Sequence, residues 1–114
     1  MELELAKHIL PHGLLDYFDL SKLSSTEDEL HIYLSEQNKL PKEHEHQIAQ
    51  SKGFLPEITV EDFPIRGKSV YLHIKRRRWT IVHTNEIIKR DWNLVAKGTR
   101  ITSEFAAFLK ELIR

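Results

Sequence analysis

The run Lys75-Arg76-Arg77-Arg78-Trp79 constrains this chain more than any other segment. It closes a stretch, Val70-Tyr71-Leu72-His73-Ile74, in which Val, Leu and Ile alternate with Tyr and His. That is the period of a half-buried β-strand. A flexible tail would spread successive cations apart, but a strand holds them together. Their mutual repulsion predicts an anionic partner facing them, and nucleic acid is the commonest polyanion in a cell. Alternate strand residues face opposite sides, so Lys75 and Arg77 are expected on one face and Arg76 and Arg78 on the other.

The formal net charge is zero, but the charge is polarised along the chain. Residues 1–63 hold 5 Lys and Arg against 13 Asp and Glu, a balance of −8, whereas residues 64–114 hold 12 against 4, a balance of +8. All seven Arg lie at position 66 or later. Such polarity suggests a polyanion-binding half and a half with another task. The alternative is that the two halves neutralise one another within the fold. A chain of 114 residues suits one small domain. It has no cysteine, which fits a reducing cytoplasm and excludes a Cys-based zinc site. No apolar run approaches the ~20 residues that span a bilayer, and the start Met1-Glu2-Leu3-Glu4 is acidic, unlike a signal peptide.

The elements predict an α+β fold in one domain over 1–114: a helical segment over 1–23, a strand plus long loop over 24–55, a basic antiparallel β-meander over 56–101 and a helix over 102–114. Residues 2–10 carry a helical stripe that Pro11 and Gly13 interrupt, and residues 14–20 read as a further helical turn or two. Leu30, Ile32 and Leu34 share one face of a strand. Residues 35–55 lack pattern, with at most a short helix near 45–50, and a loop of that length is usually functional or mobile. Ile58 and Val60 point inward from a short strand over 57–61, and Phe63 to Lys68 read as a turn. A hairpin turn near Asn85 would return a strand over 86–92 and set position 89 or 90 opposite 80 or 81. Residues 97–99 read as a loop. Thr102 suits an N-cap, and Phe105, Phe108, Leu109 and Leu112 have the spacing of an amphipathic helix. That helix reaches the last residue with no stop signal, so a larger system is expected to follow or dock there.

Lys75, Arg76, Arg77, Arg78, Lys89, Arg90, Lys97 and Arg100 are the candidate nucleic-acid contacts, since the guanidinium fork matches phosphate. One or two lysines on an exposed edge would serve against aggregation, but this many arginines exceed that need. Trp79 is the candidate solvent-facing platform for bases, and at least one of Trp79 and Trp92 is expected in the core. His44, Glu45 and His46 with His31 or His83 form a weak metal pattern, more simply read as ordinary histidines. No cofactor or metal is assigned. Catalysis has little support: there is no Cys nucleophile and no Gly-rich phosphate loop. The basic half has only Glu86, Asp91, Glu104 and Glu111 as carboxylates for a metal-dependent nuclease, which stands as a third reading.

The chain resembles the N-terminal region of bacterial insertion-sequence transposases, in elements where a small upstream frame encodes this region apart from the catalytic part. The likeness rests on residues 51–54, on 58–68 (Ile-Thr-Val-Glu-Asp-Phe-Pro-Ile-Arg-Gly-Lys), on 70–79, on 90–100 (Arg-Asp-Trp-Asn-Leu-Val-Ala-Lys-Gly-Thr-Arg) and on 104–110. Residues 14–20 extend it, while 24–50 contribute little. More distantly, Asp62-Phe63-Pro64, Gly67 and Arg77-Arg78-Trp79 are similar to the N-terminal zinc-binding module of larger transposases, whose four Cys have no counterparts here. The resemblance implies a metal-free ribbon-like fold. It also implies binding of double-stranded DNA at the element's ends, with catalysis supplied by a separate subunit or downstream reading-frame product. The alternative is a protein-interaction module that docks this catalytic subunit. Phosphate contacts from Lys75, Arg76, Arg77, Arg78 and Lys89 would give a log-log salt slope of roughly −4 to −5.

Overall fold

Two sheets share the strands of this chain in a computed structural model, which describes residues 7–98 and 103–113. The strands are β1 (Phe18–Ser25), β2 (Glu29–Glu36), β3 (Ala49–Phe54), β4 (Ile58–Ile65), β5 (Lys68–Lys75), β6 (Arg77–Ile81) and β7 (Ile87–Lys89). Helices α1 (Trp92–Gly98) and α2 (Ser103–Ile113) follow. The class is α+β with a C-terminal helix, as the pattern predicts.

The larger sheet has the order β1-β2-β5-β4. Two antiparallel hairpins, β1–β2 and β4–β5, are joined side by side through the parallel pair β2–β5. Leu30, Ile32 and Leu34 of β2 and Val70, Leu72 and Ile74 of β5 are all buried on one face. Against them pack Phe105, Phe108, Leu109 and Leu112, the apolar stripe of α2, with Leu14, Phe18 and Trp92. The β4–β5 turn is a two-residue one at Arg66 and Gly67, whose φ angles of 48° and 79° are those of a type I′ hairpin. Pro64 is accommodated because β4 is an edge strand, irregular between Asp62 and Ile65.

The smaller sheet, β3-β6-β7, is antiparallel and covers a second core of Trp79, Ile81 and Ile88 with Leu40 and Ala49. Consecutive strands pair as in a meander within each hairpin, but the chain passes from one sheet to the other at Arg76. The buried side changes there. Positions 70, 72 and 74 are buried in β5, whereas 79 and 81 are buried in β6. A strand that exchanges its inner face must place polar groups at the crossing, and Lys75 to Arg78 occupy it.

Several elements differ from the expectations. Residues 14–20 divide into a 3₁₀ turn, Leu14–Asp16, and the start of β1, because Leu14 and Phe18 enter the core from either side of the bend at Tyr17. The expected loop over 35–55 contains a 3₁₀ turn at Lys42–His44 and strand β3, whose short alternation is too polar to signal itself. Helix α1 replaces the end of the expected returning strand and the loop after it, since Trp92 turns back into the larger core beside Phe18, 5.4 Å between ring centroids. The hairpin turn spans residues 82–86, closed by Ile81 N–H donating to Glu86 O at 2.8 Å. Lys89 therefore pairs with Arg78 and not with position 80 or 81. Thr102 and the chain's first six residues lie outside the described residues.

Trp79 is the largest fully enclosed side chain among the described residues, and it anchors the smaller core. Trp79→Ala should therefore lower stability by about 3–5 kcal/mol, measured as a shift in the urea midpoint. A base-stacking platform would instead lose binding with little loss of stability.

Candidate nucleic-acid interface

The crossing between the sheets is organised by a buried carboxylate. Glu36 ends β2, and its side chain is 0% exposed. One oxygen, Oε1, accepts the Arg77 backbone N–H at 3.0 Å, and the other, Oε2, accepts Arg90 Nε–H at 2.9 Å. Arg77 Nε–H also donates to the Glu36 carbonyl at 3.2 Å. Arg90 NH2 donates to Lys39 O at 2.6 Å. Its guanidinium lies 5.2, 5.8 and 5.9 Å from the ring centroids of Tyr17, Trp92 and Trp79. Two of those rings pack against the larger core and Trp79 belongs to the smaller, so one cation joins the two. Burial raises the Glu36 pKa above the ordinary value of 4.5, outweighing the lowering by the Arg77 N–H and by Arg90.

Arg77 and Arg90 are thereby removed from the list of free cations. Arg77 also donates to Ser51 Oγ and lies 4.6 Å over the Phe54 ring. Trp79 is 1% exposed, with its Nε1–H donating to Asn38 Oδ1 at 2.8 Å, and is no platform. Trp92 is core as well. Lys97 is exposed in the last turn of α1, where a cation complements the helix dipole. Arg100 lies outside the described residues.

The remaining cations converge on the outer face of the smaller sheet. Arg78 and Lys89 are cross-strand partners. Lys52 lies beside Arg78, whose NH2 is 3.5 Å from the Lys52 carbonyl. By strand alternation Arg78 and Lys89 stand opposite to Trp79, Ile81 and Ile88, and exposed Lys52 adjoins them where β3 is irregular between Ser51 and Phe54, extending the row to the third strand. Arg76 sits at the end of this row, where the strand enters the sheet. None of these four, nor Lys75 on the outer face of the larger sheet, makes an ion pair among the described residues. Arg76 and Arg78 each keep a water-shielded Nε without a hydrogen-bond partner. Like charges directly opposite one another destabilise a sheet, and unmet shielded donors cost about 1–3 kcal/mol each. An anion with several acceptor oxygens at this face would relieve the repulsion. Lys52 is absent from the sequence-based set because β3 has too few apolar residues to reveal that it pairs with β6. Glu36 is absent because nothing in a strand pattern marks an inward carboxylate.

The histidines are used locally. On the outer face of the larger sheet, His31 Nδ1 and His73 Nε2 share a hydrogen bond at 2.7 Å. Their far nitrogens meet Glu29 Oε1 at 3.1 Å and Thr59 Oγ1 at 3.3 Å. Tyr71, His31, His73 and Tyr33 form a continuous stack along this face. His44 bonds Gln47, and His46 is 94% exposed. Among the described residues no group of three or more His, Asp or Glu side chains is disposed to hold a metal ion. No described helix is long and apolar enough to cross a membrane.

Comparison with protein-family models, curated proteins and solved structures gives no match to this chain.

Two outcomes test the assignment of Glu36 and Arg90 as structural. Arg90→Ala strands a buried carboxylate and should cost about 3–5 kcal/mol. Because the Glu36 pKa is higher folded than unfolded, the native state binds more protons between those two values. Stability should therefore fall as pH rises through that window, starting near 4.5. In urea titrations across it, Glu36→Gln should flatten the slope whatever its constant cost. An unchanged slope would refute the assignment.

Proposed function

We propose that the chain is a non-catalytic DNA-binding region, acting through the phosphate backbone at the row Lys52–Arg78–Lys89 with Arg76. The observation that carries this reading is the set of cations placed on adjacent strands with no carboxylate partner. Phosphate is the anion that suits them, since Arg offers it a planar fork and Lys a mobile point charge. Affinity from such contacts is largely independent of sequence. The resemblance to the N-terminal region of insertion-sequence transposases extends the reading. The DNA is then that of the element's ends, in the cytoplasm, and a separate subunit supplies the catalysis.

A second reading, an interaction module that docks that subunit, is favoured by a specific feature: Leu94 on α1 and Ile113 on α2 are exposed aliphatic groups on helices, not on the sheet that carries the cationic row. The two roles are compatible on separate surfaces.

Four phosphate contacts would make log K fall with log salt at a slope of roughly −3 to −4 for duplex DNA. Arg78→Glu combined with Lys89→Glu should abolish measurable binding at physiological salt, in fluorescence anisotropy with a labelled duplex. Lys89 is exposed and Arg78 half-buried on the outer face of the sheet, and circular dichroism verifies that the variant folds. Undiminished binding, or a flat salt response, would place the partner elsewhere.

A further inference from the structure

The cationic row is only one end of the outer face of the smaller sheet. Gln50 and Thr80 are partners, as are Thr80 and Ile87, so Gln50, Thr80 and Ile87 form the next row. Beyond it Val82 N–H donates to Ile48 O at 2.9 Å, continuing the β3–β6 pairing by one more pair. Ile48 and Val82, one step beyond the strand ends, are exposed while their neighbour Ile81 is buried, which sets them at the margin of the outer face beyond Thr80. Ile48, Val82 and Ile87 are exposed by 62%, 43% and 54%, values unusual for three adjacent aliphatic groups. The face therefore runs from three aliphatic side chains, through an amide and a hydroxyl, to a row of cations. Successive rows are about 7 Å apart.

We infer that this face takes an unpaired nucleic-acid strand in preference to a duplex; the inference rests on the phosphate-binding reading above and specifies the form of nucleic acid. A duplex presents phosphates to the cations but keeps its base faces stacked inside, so Ile48, Val82 and Ile87 would meet only charged backbone and water. An unpaired strand has its bases splayed to one side of its phosphates. With phosphates along Lys52, Arg78 and Lys89, the bases lie over Gln50, Thr80 and the aliphatic corner. Flat apolar base faces then cover the isoleucines and valine. The Gln50 amide and Thr80 hydroxyl are within the span of base edges. Charge complementarity selects this occupant over an uncharged apolar one, and the outer face carries no carboxylate on these three rows.

The test is anisotropy with a labelled single strand and the same strand in duplex, at two salt concentrations, using the full chain. The native protein should bind the single strand about tenfold more tightly. Ile48→Ser, Val82→Ser and Ile87→Ser combined should remove that preference. It should leave duplex affinity and the salt slope unchanged, which also shows that the variant is folded. Equal or tighter binding of duplex by the native chain overturns the inference, as does a triple variant that keeps the preference. In either case the phosphate-binding reading survives. Loss of all nucleic-acid binding by the native chain overturns both.

Discussion

The fold depends on how one buried carboxylate is neutralised. Glu36 lies where two sheets with separate cores meet, and it accepts from the backbone of β6 and from the side chain that follows β7. A lone carboxylate in that position would cost several kcal/mol. Arg90 offsets the charge and then spends its remaining surface on aromatic rings of both cores. Because neither core is large, their junction sets whether the smaller sheet is held at a fixed angle. The geometry of the outer cationic row follows from that, since β6 and β7 both leave the junction directly. The raised pKa of Glu36 shows that burial is not fully offset, and the site is better seen as fixing the arrangement of the sheets than as strengthening them.

The crossing also accounts for part of the most unusual run in the sequence. A strand that buries positions 70, 72 and 74 and then 79 and 81 has to change its inner face within a few residues. Apolar side chains there would be exposed on one sheet or the other. The crossing thus requires polar residues over 75–78, but it does not require cations. Arg77 is the one whose charge the fold uses. Serine or threonine would meet the demand at the other three positions without the repulsion.

What was legible in the sequence follows the strength of each pattern. The strands over 30–34 and 70–74 and the stripe of α2 are read correctly because their apolar residues repeat without interruption over a full element. Strand β3 was hidden because Ala49 is its only inward aliphatic group, and β1 because Phe18 sits one step from a turn that buries Leu14. The tryptophans show the limit most clearly. Trp79 follows four cations, and local sequence makes it look exposed. Its burial is decided by the change of inner face at Arg76 and by partners distant in sequence, such as Asn38, 41 positions away. The cations are evident from their number, but separating Arg77 and Arg90 from the rest needs the location of Glu36, and no local rule supplies that.

The polarity of charge between the two halves of the chain has a corresponding double meaning. Internal neutralisation does occur: an acid of the first half meets a base of the second, at Glu36 and Arg90. It does not extend to Lys52, Arg76, Arg78 and Lys89. Arg78 and Lys89 face each other across two strands, an arrangement in which either residue changed to a neutral one would relax the sheet. A fold under selection for stability alone has no reason to keep that pair, because the solvent face of a short hairpin accepts threonine or glutamine readily. The cost is small enough for the two cores to bear. That like-charged pair, beside the two shielded Nε groups of Arg76 and Arg78, is the physical observation behind the proposal of an anion on this face.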